Sequence, residues 1–350
     1  MAVNKQNNVD IVAVAKAARV SISTVSRSFN HPELLKPATR KKIDNAVRKL
    51  GYIRNRAAQT MHGIRSGTIG LVVPTIDHTI FAEVIQAFSD TVNSHGFTIL
   101  VAAHGYDLDR EYDILRKFLE HRVDGLALIG LEHSEETFLL IERQNIPAIS
   151  IWNYADGSRL PCIGANNHKV GRLAARHLID LGHRDITLIF PPTHGNDRAL
   201  ARMTGALDEL AKAGIAVPRN RVLEAPYSLS DAKEAAANAI AAGPLPSAML
   251  CGNDVLATGA IYAAHRHGLQ VPQDISVIGI GDFRGSRDME PALTTVRIPA
   301  RKIGDMAGQQ LAQAIISSEL PDKRTDFEIE LRVRATCRPA SPARNALPLP

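Results

Sequence analysis

The sequence contains few cysteines, few aromatic residues and no long apolar run. Its three cysteines, Cys162, Cys251 and Cys337, lie far apart and form no C-x-x-C pair. That spacing argues against a disulfide framework or a zinc site and suits a reducing cytoplasm. No apolar run approaches the roughly 20 residues of a membrane span, and the first twenty residues lack the apolar core of a signal peptide. We therefore predict a cytoplasmic protein with no membrane partner.

Motifs of catalysis and metal binding are also missing. The sequence has no G-x-S-x-G, H-E-x-x-H or P-loop pattern. Its thirteen histidines are scattered, and His265 and His267 stand two residues apart, on different faces of a helix. The segment GIGDFRGS at residues 279–286 resembles a dinucleotide fingerprint, but its third glycine is misplaced and no helical pattern follows. We predict a turn there, and no enzyme, cofactor or metal site.

Positive charge is concentrated at the N-terminus. Residues 1–62, here called the head, hold twelve Lys and Arg against three Asp and Glu, a net charge of +9. The whole chain carries +5, so the remaining residues carry −4. A basic head on a mildly acidic body indicates a polyanionic partner for the head alone. The alternative is an ordinary solvated helical surface.

Three short helical patterns fill the head, at residues 10–18, 22–30 and 37–50. Ser21 is the predicted N-cap of the second helix, which buries Val25 and Phe29 at i, i+4 spacing. Pro37 suits the first turn of the third helix, and Gly51 follows it as a C-cap. Two short helices joined by a tight turn and braced by a third predict a helix-turn-helix.

The second helix of such a motif enters the DNA major groove with its N-terminal residues leading. Here those residues are Ile22, Ser23 and Thr24, with Arg27 one turn further on and Asn30 at the end. Small polar side chains can approach bases, and arginine can reach guanine O6 and N7 or a phosphate. We predict that these five residues contact DNA. A small three-helix bundle with no DNA role is the alternative.

The head resembles the DNA-binding domain of lactose-repressor-type (LacI/GalR) transcription regulators. The shared elements are V-A-x-x-A-x-V-S-x-x-T-V-S-R, T-R-x-x-I, L-G-Y-x-x-N-x-x-A and the T-I-G-L-V-V-P that follows. The resemblance is collinear over essentially the whole chain. The family usually has glycine in the turn, where this chain has Arg19. If that position requires a positive φ, Arg19 carries strain; it can also add a phosphate contact.

The segment NRAAQTM corresponds to the hinge helix of the family, at about residues 55–62. It is too short to be stable alone. The resemblance implies that it is disordered when free and helical on operator DNA, where two copies of a dimer sit in the minor groove and each wedges an apolar side chain between base pairs. Met61 occupies the wedge position, unless it is an ordinary linker contact. The predicted hinge contacts are Asn55, Arg56, Ala58 and Met61.

From residue 68 onward, continuous apolar strands alternate with amphipathic helices in two series. This pattern predicts parallel sheets covered on both faces, hence two doubly wound α/β subdomains with a ligand cleft between them. The resemblance implies the periplasmic-binding-protein type I fold, with a discontinuous N-subdomain (68–163 and 293–320) and C-subdomain (164–292 and 321–338). Together they form an effector-binding and dimerisation domain at 63–340. The Pro/Ala-rich tail, 339–350, is predicted to be disordered.

Ligands of such sheets bind beyond the carboxyl ends of the strands. Candidate side chains after those ends can stack on a sugar or hold hydroxyls and a carboxylate; they are Asp77, His78, Phe81, Trp152, Asn153, Arg202, Asn253 and Asp282. The resemblance also assigns effector contacts to Arg202 and the Asn253-Asp254 pair. Phe81 can instead be core, and Asn253 or Asp254 can instead cap a helix. Gly281 stands where the family has aspartate, so one hydroxyl acceptor is missing.

Taken together, these features predict a ligand-responsive transcriptional regulator that acts as a repressor. We expect a homodimer that binds a pseudo-palindromic double-stranded operator and a small effector, a sugar or sugar derivative. The tail has no heptads that could form a coiled coil. The alternatives are a solute-binding protein or an enzyme on the same body fold. The missing signal sequence and the basic head oppose the first, and the missing catalytic motifs oppose the second.

Overall fold

Three short helices form the N-terminal unit, residues 1–66. The computed structural model describes residues 9–54, 65–77, 79–321 and 324–341 of the chain. Within the described part of this unit the helices are α1 (Ile11–Ala18), α2 (Ile22–Asn30) and α3 (Pro37–Leu50), with a 3-10 turn at Pro32–Leu34. These bounds follow the three helical patterns of the sequence.

Capping side chains set the ends of these helices. Asp10 accepts a hydrogen bond from the Ala13 amide at 2.8 Å, and Ser21 caps α2 in the same way. Gly51 ends α3 in the left-handed conformation. The helices share a small core to which all three contribute, formed by Val14, Ala15, Ala18, Val25, Ile43 and Ala46. Phe29, expected in that core, is half-buried against Tyr52.

The second unit, residues 67–350, alternates strands with helices. Its described strands are β1 (Thr68–Val73), β2 (Thr98–Ala103), β3 (Gly125–Ile129), β4 (Ala148–Asn153), β5 (Cys162–Ala165), β6 (Ile186–Phe190), β7 (Val222–Glu224), β8 (Ala248–Cys251), β9 (Ser276–Gly281), β10 (Thr294–Arg297), β11 (Thr325–Asp326) and β12 (Glu330–Arg332). Its described helices are α4 (Thr79–Ser94), α5 (Leu108–Glu120), α6 (Glu135–Gln144), α7 (Asn167–Asp180), α8 (Asp197–Lys212), α9 (Leu229–Ala241), α10 (Asp254–Arg266) and α11 (Ala300–Ser317).

The described strands form two separate sheets. The first has the order β11-β5-β4-β3-β1-β2 and the second β12-β10-β9-β8-β6-β7. The pairings are parallel except for β12, which runs antiparallel to β10 at the edge of the second sheet. The central strands β3, β4, β6, β8 and β9 are buried along their whole length because helices cover both faces. The doubly wound α/β architecture expected from the strand pattern is confirmed.

The chain crosses between the sheets later than the predicted boundaries at residues 292 and 320. β10 pairs with β9, with Thr294 opposite Ile278, so residues 294–297 belong to the second sheet. The crossing follows β10, and α11 then packs on α4 and β4 of the first sheet. β11 pairs with β5, with Thr325 opposite Ile163, so the last crossing follows residue 326. The sequence of an apolar strand does not show which sheet the strand joins, because that depends on the strand it pairs with in the folded protein.

The C-terminal segment is attached to the second sheet further than predicted. The Ala340 amide donates to the Leu181 carbonyl at 2.8 Å, and a ring nitrogen of His183 lies 3.0 Å from the Arg338 carbonyl oxygen. Ala340, placed in the disordered tail, therefore has a defined backbone partner. Residues 342–350 and the predicted hinge, 55–62, lie outside the described residues.

Candidate functional site

The exposed face of α2 carries the side chains predicted to enter the major groove. Ile22 is 46% exposed, and Ser23 and Arg27 are also exposed, whereas Thr24 is half-buried. Ile22, Ser23 and Thr24 form the first turn of the helix and Arg27 lies one turn beyond. A partner can therefore contact an apolar side chain, hydroxyl groups and a guanidinium group on this face of the helix.

Hydroxyl groups at the start of α2 hold one another in place. Ser21 Oγ accepts the Thr24 amide proton at 3.2 Å and lies 2.8 Å from Ser23 Oγ and 2.7 Å from Thr24 Oγ1. The N-cap serine thus orients two of the predicted DNA contacts. Asn30 has a different environment. Arg54 donates a hydrogen bond to Asn30 Oδ1, and the guanidinium carbon of Arg54 lies 5.5 Å from the centre of the Phe29 ring. Asn30 therefore joins the end of α2 to the segment after α3.

Arg19 ends α1 in the left-handed conformation, with φ 54° and ψ 48°. That position does need a positive φ, which glycine adopts freely and a side chain adopts at a cost. The side chain is exposed. Arg19 thus carries backbone strain beside the surface that α2 presents.

Five predicted site residues lie outside the described residues: Asn55, Arg56, Ala58, Met61 and His78. Asp77, next to the last of these, is exposed, and its amide donates to Thr75 Oγ1 at 3.1 Å in the turn after β1.

A chain of polar side chains crosses the cleft between the two sheets. Arg202 Nε donates to Asn167 Oδ1 at 2.6 Å, and Asn167 Nδ2 donates to Asn153 Oδ1 at 3.1 Å. Asn153 Nδ2 in turn donates to Asp197 Oδ2 at 2.6 Å, and the same oxygen accepts the Leu131 amide proton at 2.8 Å. Asn153 ends β4 and Leu131 follows β3, both in the first subdomain, while Arg202 and Asp197 lie on α8 of the second. The chain therefore joins the two subdomains.

Arg198 lies in the middle of this cleft and is 4% exposed. Its Nη1 donates to Asp197 Oδ1 at 2.9 Å and to the Ile129 carbonyl at 3.4 Å. Its guanidinium carbon is 5.9 Å from the ring centres of both Phe81 and Tyr106. Neither Arg198 Nη2 nor the Tyr106 hydroxyl completes a hydrogen bond of normal geometry within the described residues. Burial raises the pKa of Tyr106, and neighbouring Tyr227 raises it further.

The structure brings Phe81 and Trp152 together. Their rings meet edge to face, with centres 5.6 Å apart, and both are 1% exposed. The Trp152 face predicted to stack on a sugar is therefore covered. Its backbone has φ 80°, and its indole Nε1 has no hydrogen-bond partner among the described residues. Left-handed backbone at a bulky residue is costly and is concentrated at ligand sites.

Arg202 and Asn253 meet at the second sheet. Arg202 is 1% exposed and its Nη1 donates to the Gly252 carbonyl at 3.2 Å. Burial lowers the pKa of its guanidinium. Asn253 caps α10, because its Oδ1 accepts the Leu256 amide proton at 2.9 Å. Its Nδ2 is buried and unpaired within the described part of the chain. Asn253 is thus both a cap and a candidate ligand donor.

Asp254 and Asp282 hold the loop after β9 rather than facing open space. Asp254 accepts hydrogen bonds from the Phe283 amide at 2.8 Å, the Ser286 hydroxyl at 2.7 Å and the Thr295 hydroxyl at 2.6 Å. Asp282 accepts from Arg334 and lies 3.9 Å from Arg297 Nε. The predicted effector contact Asp282 therefore has cationic partners of its own.

Gly281 uses a conformation that aspartate would not tolerate. Its φ is +133°, and an added Cβ would lie 2.1 Å from the Phe283 ring. Phe283 covers this position, so the loop has no room for a side chain at residue 281.

An open cavity of about 430 Å³ adjoins the polar chain. Both subdomains line it, with Leu131, Asn153 and Tyr154 from the first and Asn167, His168 and Asp197 from the second. The volume suits a small metabolite. In the part of the chain that the structure describes, no group of three His, Cys, Asp or Glu side chains could hold a metal ion. None of the described helices is long and apolar enough to cross a membrane.

Comparisons with known proteins agree with this geometry. Residues 10–55 match the model of bacterial regulatory proteins of the lacI family, and residues 175–337 match a periplasmic binding protein-like domain. The regulator GntR of Pseudomonas aeruginosa is 31% identical over 322 residues, which cover 92% of this chain and 93% of the relative. The repressor PurR of Proteus mirabilis is 33% identical, with coverage of 92% and 93%. The chain belongs to the lacI family.

A solved structure extends the similarity to the whole fold. The lac repressor dimer bound to operator and the anti-inducer ONPF has a TM-score of 0.83 and 26% identity, and the alignment covers 95% of this chain and 100% of that one. This lacI-family protein is a ligand-responsive DNA-binding repressor. Its relatives named above are regulators of transcription rather than enzymes.

Three cleft residues of this lacI-family chain are absent from the set predicted from the sequence. They join or fill the polar chain and are Asn167, Asp197 and Arg198. One signal was present: Arg198 precedes Arg202 by four residues and so shares its face of α8. Asn167 gave no such signal, because ordinary caps and turns contain asparagine equally often.

Proposed function

We propose that two copies of this chain form a dimer that binds a pseudo-palindromic operator, and that a carbohydrate-like metabolite in the cleft controls this binding. The observation that carries the proposal is the polar chain from Arg202 to Leu131, which joins the two subdomains across the cleft. A ligand that replaced links of this chain would change how the subdomains sit. Such a change requires a ligand with different affinity for the two arrangements.

The head supplies the DNA contacts in this proposal. Ile22, Ser23, Thr24 and Arg27 enter the major groove of one half-site, and the second copy reads the other. Met61 of each copy wedges into the minor groove between them. The exposed first turn of α2 supports this role, as does the lac repressor dimer bound to its operator, a similar structure. We place the protein in the cytoplasm, where chromosomal DNA lies, and assign no reaction to the cleft.

The test is a binding-site selection from random duplexes with the full-length protein, followed by gel shifts. We expect one pseudo-palindrome to be enriched and its affinity to fall steeply with salt, as phosphate contacts require. A duplex with a single half-site is the control and should bind more weakly. Neutral sugars, sugar acids and sugar phosphates are then added, and one class should change operator affinity by about tenfold. Failure to bind any duplex at low ionic strength would refute the proposal.

A further inference from the structure

The chain that leaves α3 is directed back onto the end of α2. Gly51 is left-handed, its amide donates to the Arg48 carbonyl at 3.3 Å, and the Tyr52 amide donates to the Val47 carbonyl at 3.1 Å. This pair of hydrogen bonds is the Schellman pattern, which fixes the direction of a chain after a helix. The Tyr52 ring then packs on Phe29, with ring centres 6.1 Å apart.

Arg54 contacts two consecutive residues at the end of α2. Its Nη2 donates a hydrogen bond to Asn30 Oδ1, and its guanidinium carbon lies 5.5 Å from the centre of the Phe29 ring. A hydrogen bond from a charged donor is stronger than one between neutral groups, and the planar guanidinium group also stacks on aromatic rings. All three side chains are half-buried, so water screens these contacts only in part.

The contact with Arg54 fixes the orientation of the Asn30 amide. An asparagine side chain has one acceptor oxygen and two N–H donors. Arg54 occupies the oxygen, while Asn30 Nδ2 lies 3.4 Å from Ser26 Oγ, which is long for a hydrogen bond. The phosphate oxygens of DNA accept hydrogen bonds, and asparagine side chains are among their donors. Asn30 therefore presents to DNA the half of its amide that a phosphate can bind.

The Asn30–Arg54 pair also connects two parts of the head that are expected to bind DNA. Asn30 is the last residue of α2, and Arg54 directly precedes residue 55, where the predicted hinge begins. Arg54 falls on a variable position of L-G-Y-x-x-N-x-x-A, so that motif assigns it no role. Its contacts nevertheless set the place from which the hinge starts relative to α2.

We propose, resting on the operator-binding function above, that Arg54 is a positioning residue for operator binding. It holds the amide nitrogen of Asn30 toward a DNA phosphate and anchors the start of the hinge to the end of α2. Arg54 acts through Asn30 and Phe29, and it is not itself a phosphate contact. Phosphate contacts set the register of a protein on the duplex. Loss of Arg54 should therefore weaken operator binding more than binding to random DNA.

A double-mutant cycle on operator DNA tests whether Arg54 acts through Asn30. Competition gel shifts compare full-length Arg54→Met, Asn30→Ala and the double variant with the native chain, on the pseudo-palindrome from the selection above. Each single substitution should weaken operator binding by about tenfold, and the double variant by about tenfold as well. A loss of about 100-fold in the double variant would show two independent contributions and would overturn the proposal.

Salt dependence distinguishes a positioning residue from a phosphate contact. Arg48→Met removes an exposed arginine on α3 by the same substitution and is the matched control. It should keep operator affinity within about twofold, and Arg54→Met should show the same slope of log affinity against log salt as this control. A direct phosphate contact would lower the slope by about 0.9 per copy of the chain. Such a fall for Arg54→Met alone would contradict the proposal.

Arg54→Lys keeps the positive charge but lacks the planar group that contacts Asn30 and Phe29 together. It should recover at most part of the lost affinity, and full recovery would show that only the charge matters. Thermal unfolding followed by circular dichroism checks that each variant is folded at the assay temperature. If Arg54→Met is not, Arg54→Lys takes its place in the cycle with Asn30→Ala. If the native chain binds no operator, the proposed function fails; if it does and the two substitutions add, only this inference fails.

Discussion

The head and the body of this chain use the same kinds of side chain in opposite ways. The head presents Ser23 and Arg27 on an exposed helix face. The body buries Asn167 and Arg202 in a chain of hydrogen bonds. The protein cannot enclose DNA, so the side chains that bind DNA must be exposed to solvent. A small ligand can be enclosed, so its contacts are buried, where each interaction is stronger and each unpaired group is costlier.

Arginine shows this contrast most clearly. Exposed arginines of the head give it a positive field, whose strength depends on salt. In the body, Arg172 and Arg176 both pair with Glu209, and burial holds Arg202 out of solvent altogether. The net charge is +9 for residues 1–62 and −4 for the remainder, so the positive field belongs to the head.

The largest effect should come from a substitution that disturbs the close contact between α7 and α8. A Cβ on Gly171 would lie 1.9 Å from the Arg202 carbonyl oxygen. Gly171→Ala should therefore lower the free energy of unfolding of the body by about 3 kcal/mol, far outweighing the better helix propensity of alanine. Urea unfolding followed by Trp152 fluorescence measures it. Gly157→Ala, where a Cβ would meet open space, is the control. Equal midpoints for both variants would contradict the prediction.

The next effect concerns the connection between the subdomains. Asp197→Ala removes the acceptor of Leu131, Asn153 and Arg198, and leaves the Arg198 guanidinium buried without its carboxylate. We expect the free energy of unfolding to fall by about 2 kcal/mol. Asp208→Ala on the same helix removes an exposed pair with His168 and should cost less than about 0.5 kcal/mol. Thermal unfolding compares them, and equal losses would show that the polar chain has no special role.

Arg27→Ala tests the head without touching the body. Loss of a bidentate base contact should weaken operator binding by roughly 1.5 kcal/mol, about tenfold, with less loss on random DNA. Competition gel shifts give the ratio of specific to nonspecific affinity. Arg48→Ala, an exposed arginine on α3, should leave that ratio unchanged. If both variants reduced specific and nonspecific binding alike, Arg27 would be a phosphate contact.

The smallest effect is a gain in stability. Arg19→Gly relieves a left-handed backbone at a side-chain-bearing residue and should stabilise the head by about 1 kcal/mol. Asn145 occupies the same conformation at the end of α6, and Asn145→Gly should gain less because asparagine tolerates it. Thermal unfolding followed by circular dichroism measures both changes. A loss of stability for Arg19→Gly would mean that the side chain makes a contact worth more than the strain.

The helices of the head and the strands of the body were predictable because their signals are local. Ser21 and Pro37 mark the starts of helices. The apolar strands follow short-range patterns that do not depend on the position of the strand in its sheet. Phe81 and Trp152 were each candidates from the sequence, but only the fold shows that their rings contact each other. Asp282 could not be interpreted in the same way, because Arg334, its partner, lies 52 residues away in the chain.

The amino-acid sequence by itself determined the basic head, the helix bounds, the alternation of strands and helices, and the family to which the chain belongs. These depend on side-chain spacing and charge over a few turns. Tertiary structure alone decided which sheet receives β10 and β11, and that Asn153, Asn167 and Asp197 form one chain across the cleft. Those outcomes depend on edge pairing and on hydrogen bonds between distant segments, whose geometry exists only after the sheets have formed.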